Sequence, residues 1–258
     1  MIPDSHAHLD LIERDTGEVM SEARSAGVSP VITIGINIDS SIEAVRAAAT
    51  HEGVFAAVGI HPNDTTGAAP DDFERLEEIA GSSIRVVAIG ETGLDYYRDR
   101  SPADRQKWAL REHVRLARKR GLALIVHDRE AHGDVLEVLA DEGAGDPPVI
   151  MHCFSGGEDV LRKCVARGYY ISFAGPLTFK KNDEARRLAS LAPMEKLLVE
   201  TDAPFLSPEP FRGKPNFPGR VRLVAEALAR VKTVSLEEME CVLEANTARV
   251  FGIDLTEG

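Results

Sequence analysis

The chain has 258 residues, of which 43% are hydrophobic and 28% are charged. This composition is typical of a soluble globular protein, and the chain is long enough to bury a large core without disulfides or a structural metal. The net charge of −12 argues against a nucleic-acid packaging protein, which is usually basic. It leaves room for an enzyme with a local positive patch.

The N-terminus and the cysteines indicate a cytoplasmic protein. The chain starts with Met1-Ile2-Pro3-Asp4 and has neither the basic segment nor the apolar run of a signal peptide. No apolar stretch approaches the roughly 18 residues of a membrane span. Cys153, Cys164 and Cys241 are an odd number without CxxC spacing, which favours reduced thiols. We expect a cytoplasmic monomer with no membrane contact and no stable protein partner.

Short apolar runs alternate with helical patterns along the whole chain. Several runs are almost continuously apolar, as in a parallel sheet that is covered on both faces. The eight candidate strands are residues 2–8, 31–36, 54–61, 86–91, 123–127, 149–154, 169–173 and 197–202.

The segments between these runs carry helix signals. Ser40 and Glu43 have the spacing of a capping box, Gly121 is placed to end a helix, and Ser235 is placed to cap a last helix that reaches Ala245. Eight βα units predict one closed (β/α)8 TIM barrel over residues 1–258, with its active site at the carboxyl ends of the strands. The Pro- and Gly-rich segment 204–219 is predicted to be an active-site loop.

Residues that can bind metals end five of the candidate strands. The first run ends in Asp4-Ser5-His6-Ala7-His8, and because strand side chains alternate, His6 and His8 project to the same side. The carboxyl ends of barrel strands meet at one mouth, where the active sites of this fold lie. We therefore predict a metal site built from His6, His8, Glu91, His127, His152 and Asp202.

Four histidines and two carboxylates suit two divalent ions better than one. The mixture of nitrogen and oxygen ligands favours zinc, manganese, cobalt or magnesium. His6 and His8 are expected on one ion and His127 and His152 on the other, with Glu91 as the bridge.

The two carboxylates are the predicted catalytic residues. Asp202 is expected to bind the ion held by His6 and His8 and to orient or deprotonate the attacking water, while Glu91 holds both ions. Such a pair of ions can stabilise the attacking and leaving oxygens of a displacement at phosphorus.

Further side chains are predicted to face this mouth. Glu200 shares the alternation of Asp202 and is expected inside the barrel, supporting a ligand. His61 follows the third strand and is expected to support the site or to contact a substrate phosphate. Basic residues after the strands provide the positive charge that binds a polyanion. They are Arg98, Arg100, Arg129, Lys180, Lys181, Arg212 and Lys214. The predicted substrate-binding residues are His61, Arg129, Arg212 and Lys214.

Four other residues with reactive side chains are expected to have no catalytic role. His51, His113 and His132 lie in helical or post-helical segments and are predicted to be on the surface. Cys153 follows His152, so alternation predicts that its thiol points away from the barrel interior and serves in packing.

Several motifs in the same order resemble the TatD family of metal-dependent deoxyribonucleases, within the wider amidohydrolase-like barrels. The resemblance covers essentially the whole chain and implies a divalent-metal site at the six residues above, with hydrolase activity commonly directed at DNA ends. The matching segments are Asp4-Ser5-His6-Ala7-His8-Leu9-Asp10, Gly59-Ile60-His61-Pro62, Gly90-Glu91-Thr92-Gly93-Leu94-Asp95-Tyr96, His152-Cys153-Phe154-Ser155-Gly156, Glu200-Thr201-Asp202-Ala203-Pro204 and Asn246-Thr247-Ala248-Arg249-Val250-Phe251.

The chain departs from the family pattern at the substrate-facing rim. Pro215 and Phe217 flank Asn216 where a basic and then an acidic residue are usual, and Asp128 follows His127 where a small residue is usual. These departures bear on the identity of the substrate more than on metal binding.

The leading functional prediction is metal-dependent hydrolysis of DNA phosphodiester bonds by an activated water, from a strand end. An alternative is hydrolysis of a C–N or carboxylic ester bond, because the same chemistry can attack a carbonyl and the fold does not decide between them. A third hypothesis is a metal-binding protein without turnover, which the complete set of ligands disfavours.

Overall fold

A computed structural model of the protein describes residues 1–98 and 100–254; residues 255–258 of the predicted domain lie outside this range. In the described part of the chain, strands alternate with helices. The strands are β1 (Ile2–Ala7), β2 (Val28–Ile34), β3 (Val54–Val58), β4 (Val86–Asp95), β5 (Ala123–Arg129), β6 (Val149–Met151), β7 (Tyr170–Phe173) and β8 (Leu197–Val199). The helices are α1 (Thr16–Ser25), α2 (Ile38–Thr50), α3 (Pro70–Gly81), α4 (Ala103–Arg120), α5 (His132–Asp141), α6 (Glu158–Ala166), α7 (Asp183–Leu191), α8 (Val221–Lys232) and α9 (Leu236–Phe251).

The strands form one parallel sheet in sequence order, from β1 to β8. The first and last strands meet at their carboxyl ends, where Ala7 forms a parallel bridge with Ala203. His8 N–H donates to the Ala203 carbonyl at 2.8 Å, and Asp202 N–H donates to the His6 carbonyl at 2.9 Å. These bonds confirm the predicted (β/α)8 barrel, because they bring the two edges of the sheet together.

Two layers of apolar side chains alternate along the strands. Residues such as Leu124, Val126 and Val199 belong to the larger core between the strands and the helices. Their neighbours Ile125 and Leu198 belong to a second cluster that fills the barrel. The interior is therefore packed, as in other barrels of this class. Where the same alternation continues past the packed layer, the side chains are directed towards the mouth of the barrel.

The strands lie in the predicted segments, but several of their ends differ. β3 stops at Val58, β6 at Met151 and β8 at Val199, earlier than predicted, whereas β4 continues to Asp95. The early ends have a backbone cause at two places, since Cys153 and Asp202 have φ of 43° and 54°, a conformation that interrupts a strand.

The helix signals were partly right. Gly121 ends α4 in the left-handed conformation, and Ser235 caps α9 as predicted. The capping box of α2, however, is formed by Asn37 and Ser40 rather than by Ser40 and Glu43. α9 also continues to Phe251 instead of ending near residue 245. Within the described residues, we find no helix with the length and apolar character of a membrane span.

Candidate metal centre

The interior alternation brings the predicted ligands to the mouth of the barrel. On β5, the interior residue Ile125 is followed two positions later by His127, and Ile150 of β6 is followed in the same way by His152. Beyond β8 the series from Leu198 leads to Glu200 and then Asp202. Because all strands run parallel, these positions reach the same end of the barrel.

Glu91 of β4 lies at the centre of the cluster, and its two carboxylate oxygens face different histidines. Oε2 is 3.5 Å from His6 Nε2 and 3.8 Å from His8 Nε2. Oε1 is 2.7 Å from His127 Nδ1 and 3.2 Å from His152 Nε2. The carboxylate therefore joins two groups of histidines, one on each oxygen.

Two glycines allow β4 to hold Glu91 this close to β5. Gly90 has a φ of +130°, and a Cβ there would lie 2.5 Å from the Ile125 carbonyl oxygen. Gly93 has a φ of +143°, and a Cβ there would overlap the carbonyl oxygen of His127. Only glycine tolerates both the backbone conformation and the close approach.

Asp202 completes the group around His6 and His8. Its Oδ1 lies 3.4 Å from His8 Nε2 and 3.7 Å from His6 Nε2, and the two Nε2 atoms are 3.3 Å apart. His6 Nδ1 is buried and has no hydrogen-bond partner among the described residues. Ring nitrogens and carboxylate oxygens that converge on one point form the donor set of a divalent-metal site.

Three sets of residues can each place their ligand atoms within 4.8 Å of one another. The third set brings His61 beside Glu91, since His61 Nε2 is 3.8 Å from Glu91 Oε1. The predicted division pairs His127 with His152, and both face Glu91 Oε1. His152 also joins His6 and Asp202 in one set, so it lies between the two groups of histidines. The sets are His6, His152 and Asp202; His6, His8 and Glu91; and His61, Glu91 and His127.

Burial and neighbouring charges shift the pKa values of the side chains in this cluster. Burial opposes ionisation of Glu91, but the surrounding histidines, His152 first, hold its pKa well below the ordinary value. Burial likewise opposes ionisation of Asp202, whose pKa is nevertheless lowered by His8. Burial lowers the pKa of His61 to about 4. Both carboxylates are therefore anionic at neutral pH, and His61 is neutral, with its Nδ1 accepting a hydrogen bond from Asn63 N–H at 3.1 Å.

The cluster opens into a cavity of about 790 Å³ at the carboxyl ends of the strands. The four predicted substrate-binding residues line this cavity, as do Arg98 and Arg100, whereas Lys180 and Lys181 do not. In the described part of the chain, no carboxylate forms an ion pair with the lining cations. These cations are Arg98, Arg100, Arg129, Arg212 and Lys214.

Comparison with known proteins identifies the family. The model of the family described as TatD related DNase matches residues 3–252. This chain belongs to the TatD-related DNase family. The metal-dependent hydrolase YabD of Bacillus subtilis is 38% identical over 256 residues, which cover 98% of this chain and 100% of YabD. The family assignment confirms the predicted metal-dependent hydrolase class.

Two further members of the TatD family extend the comparison. The 3'-5' ssDNA/RNA exonuclease TatD of Cronobacter sakazakii is 33% identical over 244 residues, which cover 93% of this chain and 92% of that protein. The crystal structure of YJJV, a TatD homologue from Escherichia coli K12, matches with a TM-score of 0.92 and 28% identity over 98% of each chain.

One polar residue near the centre of this TatD-family site was not singled out from the sequence. Asp95, at the end of β4, is buried and lines the cavity. Its Oδ2 accepts a hydrogen bond from Asn63 Nδ2 at 3.0 Å and lies 3.5 Å from His127 Nε2. Its spacing of four residues from Glu91 places both side chains on the same face of a strand, but the apolar run that predicts this strand ends at Glu91.

The prediction that His113 lies on the surface was wrong. It is completely buried on the inner side of α4. Its Nε2 accepts a hydrogen bond from Ile60 N–H at 2.9 Å, and its Nδ1 lies 2.7 Å from the Ala109 carbonyl oxygen. The helical pattern around it predicted an exposed polar position. In the structure, the buried N–H of Ile60 needs a hydrogen-bond acceptor, and the His113 ring provides it.

The orientation predicted for Cys153 was also wrong. The residue is half-buried and lines the cavity, because β6 ends at Met151 and the alternation of a strand no longer applies. Burial raises the pKa of its thiol, so the thiol stays protonated at neutral pH and is a weak nucleophile.

Proposed function

We propose that this chain hydrolyses phosphodiester bonds of DNA, from a strand end, in a reaction that depends on two divalent metal ions. The observation that carries the proposal is the division of Glu91, whose two oxygens face two groups of histidines beneath a cavity. The cations that line this cavity form no ion pair with a carboxylate of the described residues. The name of the Cronobacter relative, a single-stranded DNA and RNA exonuclease, supports a nucleic-acid substrate.

The residues present fit a pair of divalent ions. Ring nitrogens of four histidines lie 2.7–3.8 Å from the two Glu91 oxygens, and Asp202 adds a carboxylate oxygen beside His6 and His8. Nitrogen and oxygen donors of this kind are the usual ligands of divalent metals. One ion would be held by His6, His8, Asp202 and Glu91. The other would be held by Glu91, His127 and His152, with His61 within reach of the same Glu91 oxygen.

Bound divalent ions supply Lewis acidity, which acidifies water and neutralises charge at a phosphoryl group. The chain supplies the proton acceptor and the orientation. Asp202 is anionic, its side chain is 15% exposed, and it lines the cavity, so its carboxylate can take the proton of the attacking water. Glu91 is buried at the base of the cavity and acts as the fixed anion that holds the histidines in place.

The cations of the rim orient the substrate. Arg129 is the last residue of β5 and Arg212 lies in the segment after β8, and both line the cavity. Guanidinium groups bind phosphate oxygens in a bidentate manner, so two such groups can hold the phosphates on either side of the scissile bond. Hydrolysis of a C–N or ester bond is the second candidate, but it does not require these cations at the rim.

The proposal is tested on metal-stripped protein with single- and double-stranded DNA, to which Mg²⁺, Mn²⁺, Co²⁺ or Zn²⁺ is added in turn. We expect cleavage to return with a divalent ion. In His152→Ala and Asp202→Ala we expect a loss on the order of a hundredfold or more, with unchanged circular dichroism. His51→Ala, at the end of α2, is the matched control and keeps full activity.

A different result would favour carbonyl chemistry. If the folded protein cleaves amides or carboxylic esters but no nucleic acid with any of the four ions, the phosphodiester proposal is wrong. DNA cleavage that persists undiminished in chelator, or in both variants, would show that the ions and ligands named here are not those that carry the reaction.

A further inference from the structure

The walls of the cavity differ in chemistry. Arg98 and Arg100, from the segment after β4, and Arg129, at the end of β5, line one side. On the other side, two of the exposed large hydrophobic side chains of the described chain line the cavity, Leu11 and Phe205. Exposed apolar groups beside a polar site indicate a contact with the ligand rather than with the core.

Phe205 is held in a fixed place beside the candidate metal centre. Its N–H donates to the Asp202 carbonyl at 2.8 Å, and its own carbonyl accepts a hydrogen bond from Asn216 Nδ2 at 2.8 Å. The ring lies 6.1 Å from the His8 ring in an edge contact. Phe205 is nevertheless 51% exposed, so much of the ring faces the cavity or solvent.

Two other aromatic rings near the mouth are covered by cations. The Arg212 guanidinium lies 4.3 Å from the centre of the Phe179 ring, and that of Arg129 lies 4.0 Å from the centre of the Tyr97 ring. Within the described residues, no Arg or Lys lies over Phe205. Phe205 therefore lines the cavity with a ring face that is available to a planar group.

We propose that Phe205 stacks on the base of the nucleotide whose phosphate enters the metal centre. The inference rests on the proposed function and adds that the site recognises a base as well as phosphates. Stacking on an aromatic ring is a common way to bind single-stranded nucleic acid, since every base has a flat face. A base can reach this ring only when it is unpaired, so Phe205 favours frayed or single-stranded ends.

The test uses the full chain and single-stranded oligonucleotides whose terminal nucleotide is either intact or an abasic tetrahydrofuran unit, placed at the 3′ or the 5′ end. The phosphates are the same and only the base differs. We expect Phe205→Ala to raise KM on the intact end about tenfold and to change KM on the abasic end by roughly twofold or less. Phe205→Trp should restore the intact-end KM.

Ile84→Ala is the matched control, because Ile84 is 98% exposed but precedes β4 at the opposite end of the barrel. If Phe205→Ala lowers kcat/KM equally on intact and abasic ends, the stacking proposal is wrong and Phe205 serves in packing against His8. Nuclease activity would stand in that case.

Binding separates the two proposals. Oligonucleotides with phosphorothioate terminal linkages, which slow cleavage, are titrated by fluorescence anisotropy. If the intact end binds more tightly than the abasic end, and Phe205→Ala abolishes this difference, stacking is supported. This holds even if no metal ion supports cleavage, because the absence of cleavage overturns only the proposed function. Equal binding of intact and abasic ends by the wild-type protein overturns stacking.

Discussion

His152 lies between two carboxylates that can decide which of its ring nitrogens is free. Its Nδ1 is 2.8 Å from Glu200 Oε1, and its Nε2 is 3.2 Å from Glu91 Oε1. Burial opposes protonation of His152, but Glu200 and Glu91 raise its pKa well above the ordinary value. In the proposed metal centre, the Nδ1–H donates to Glu200 and Nε2 is the ligand, an arrangement that orients metal-binding histidines in general.

Removal of Glu200 should therefore weaken metal binding, although the side chains that bind the metal stay the same. We expect Glu200→Gln, which keeps an acceptor but loses the charge, to lower metal affinity about tenfold, and Glu200→Ala about a hundredfold. Competition with a chromogenic chelator measures the affinity independently of turnover. If both folded variants bind metal as tightly as the wild type, Glu200 does not position His152.

At the scale of whole elements, the sequence predicted the order of strands and the end of the barrel at which the site lies. These depend on local properties, since apolar runs predict parallel strands and the carboxyl ends of parallel strands meet. The strand ends were less predictable, because Asp202 and Cys153 follow strands that stop early. Which ring nitrogen faces which carboxylate oxygen depends on pairing between distant segments, and single-sequence patterns contain no signal for it.

His113 shows how a helix is coupled to the site by a contact between elements. From α4 it accepts the Ile60 N–H at 2.9 Å, directly before His61, and its Nδ1 lies 3.0 Å from Thr92 Oγ1, directly after Glu91. The helical periodicity could not predict this contact, because it depends on how β3 and β4 pack beneath the helix.

Acid should destabilise the protein partly through His113. Burial lowers its pKa to about 4 in the folded chain, against an ordinary value of 6.5. The folded state therefore favours the neutral ring, and the stability from this residue is lost as the pH falls below 6.5 towards 4. Linkage gives a loss of about 2 kcal/mol between pH 7.5 and pH 5.0.

Urea unfolding of the wild type and His113→Gln at the two pH values isolates this effect. The variant should be less stable at pH 7.5 by about 1–3 kcal/mol, since the Ile60 N–H loses a well-placed acceptor. The difference between the two proteins should shrink by about 2 kcal/mol at pH 5.0. A difference that is the same at both pH values would mean that His113 does not change its charge state on unfolding.

At the scale of the molecule, a net charge of −12 contrasts with the local charge at the mouth. Elsewhere on the surface, cations pair with carboxylates, as Arg46 does with Glu43 and Arg75 with Glu78. At the mouth, Arg212 and Lys214 have no such partner among the described residues and line the cavity. Cations that form no ion pair can attract a polyanion that the acidic surface elsewhere repels, so we expect them to guide the substrate to the metal centre.

This distribution of charge predicts how substrate binding responds to salt. Each phosphate contact in a single-stranded complex contributes about 0.7 to the slope of log K against log salt concentration. We expect the double variant Arg212→Gln/Lys214→Gln to lower that slope by about 1.4 in oligonucleotide-binding titrations at several NaCl concentrations. The matched double variant Arg46→Gln/Arg75→Gln, whose cations are already paired on the outer helices α2 and α3, should keep the wild-type slope. A loss of affinity by the same factor at every salt concentration would contradict the phosphate contacts and would indicate that removal of Arg212 disturbs its packing on Phe179.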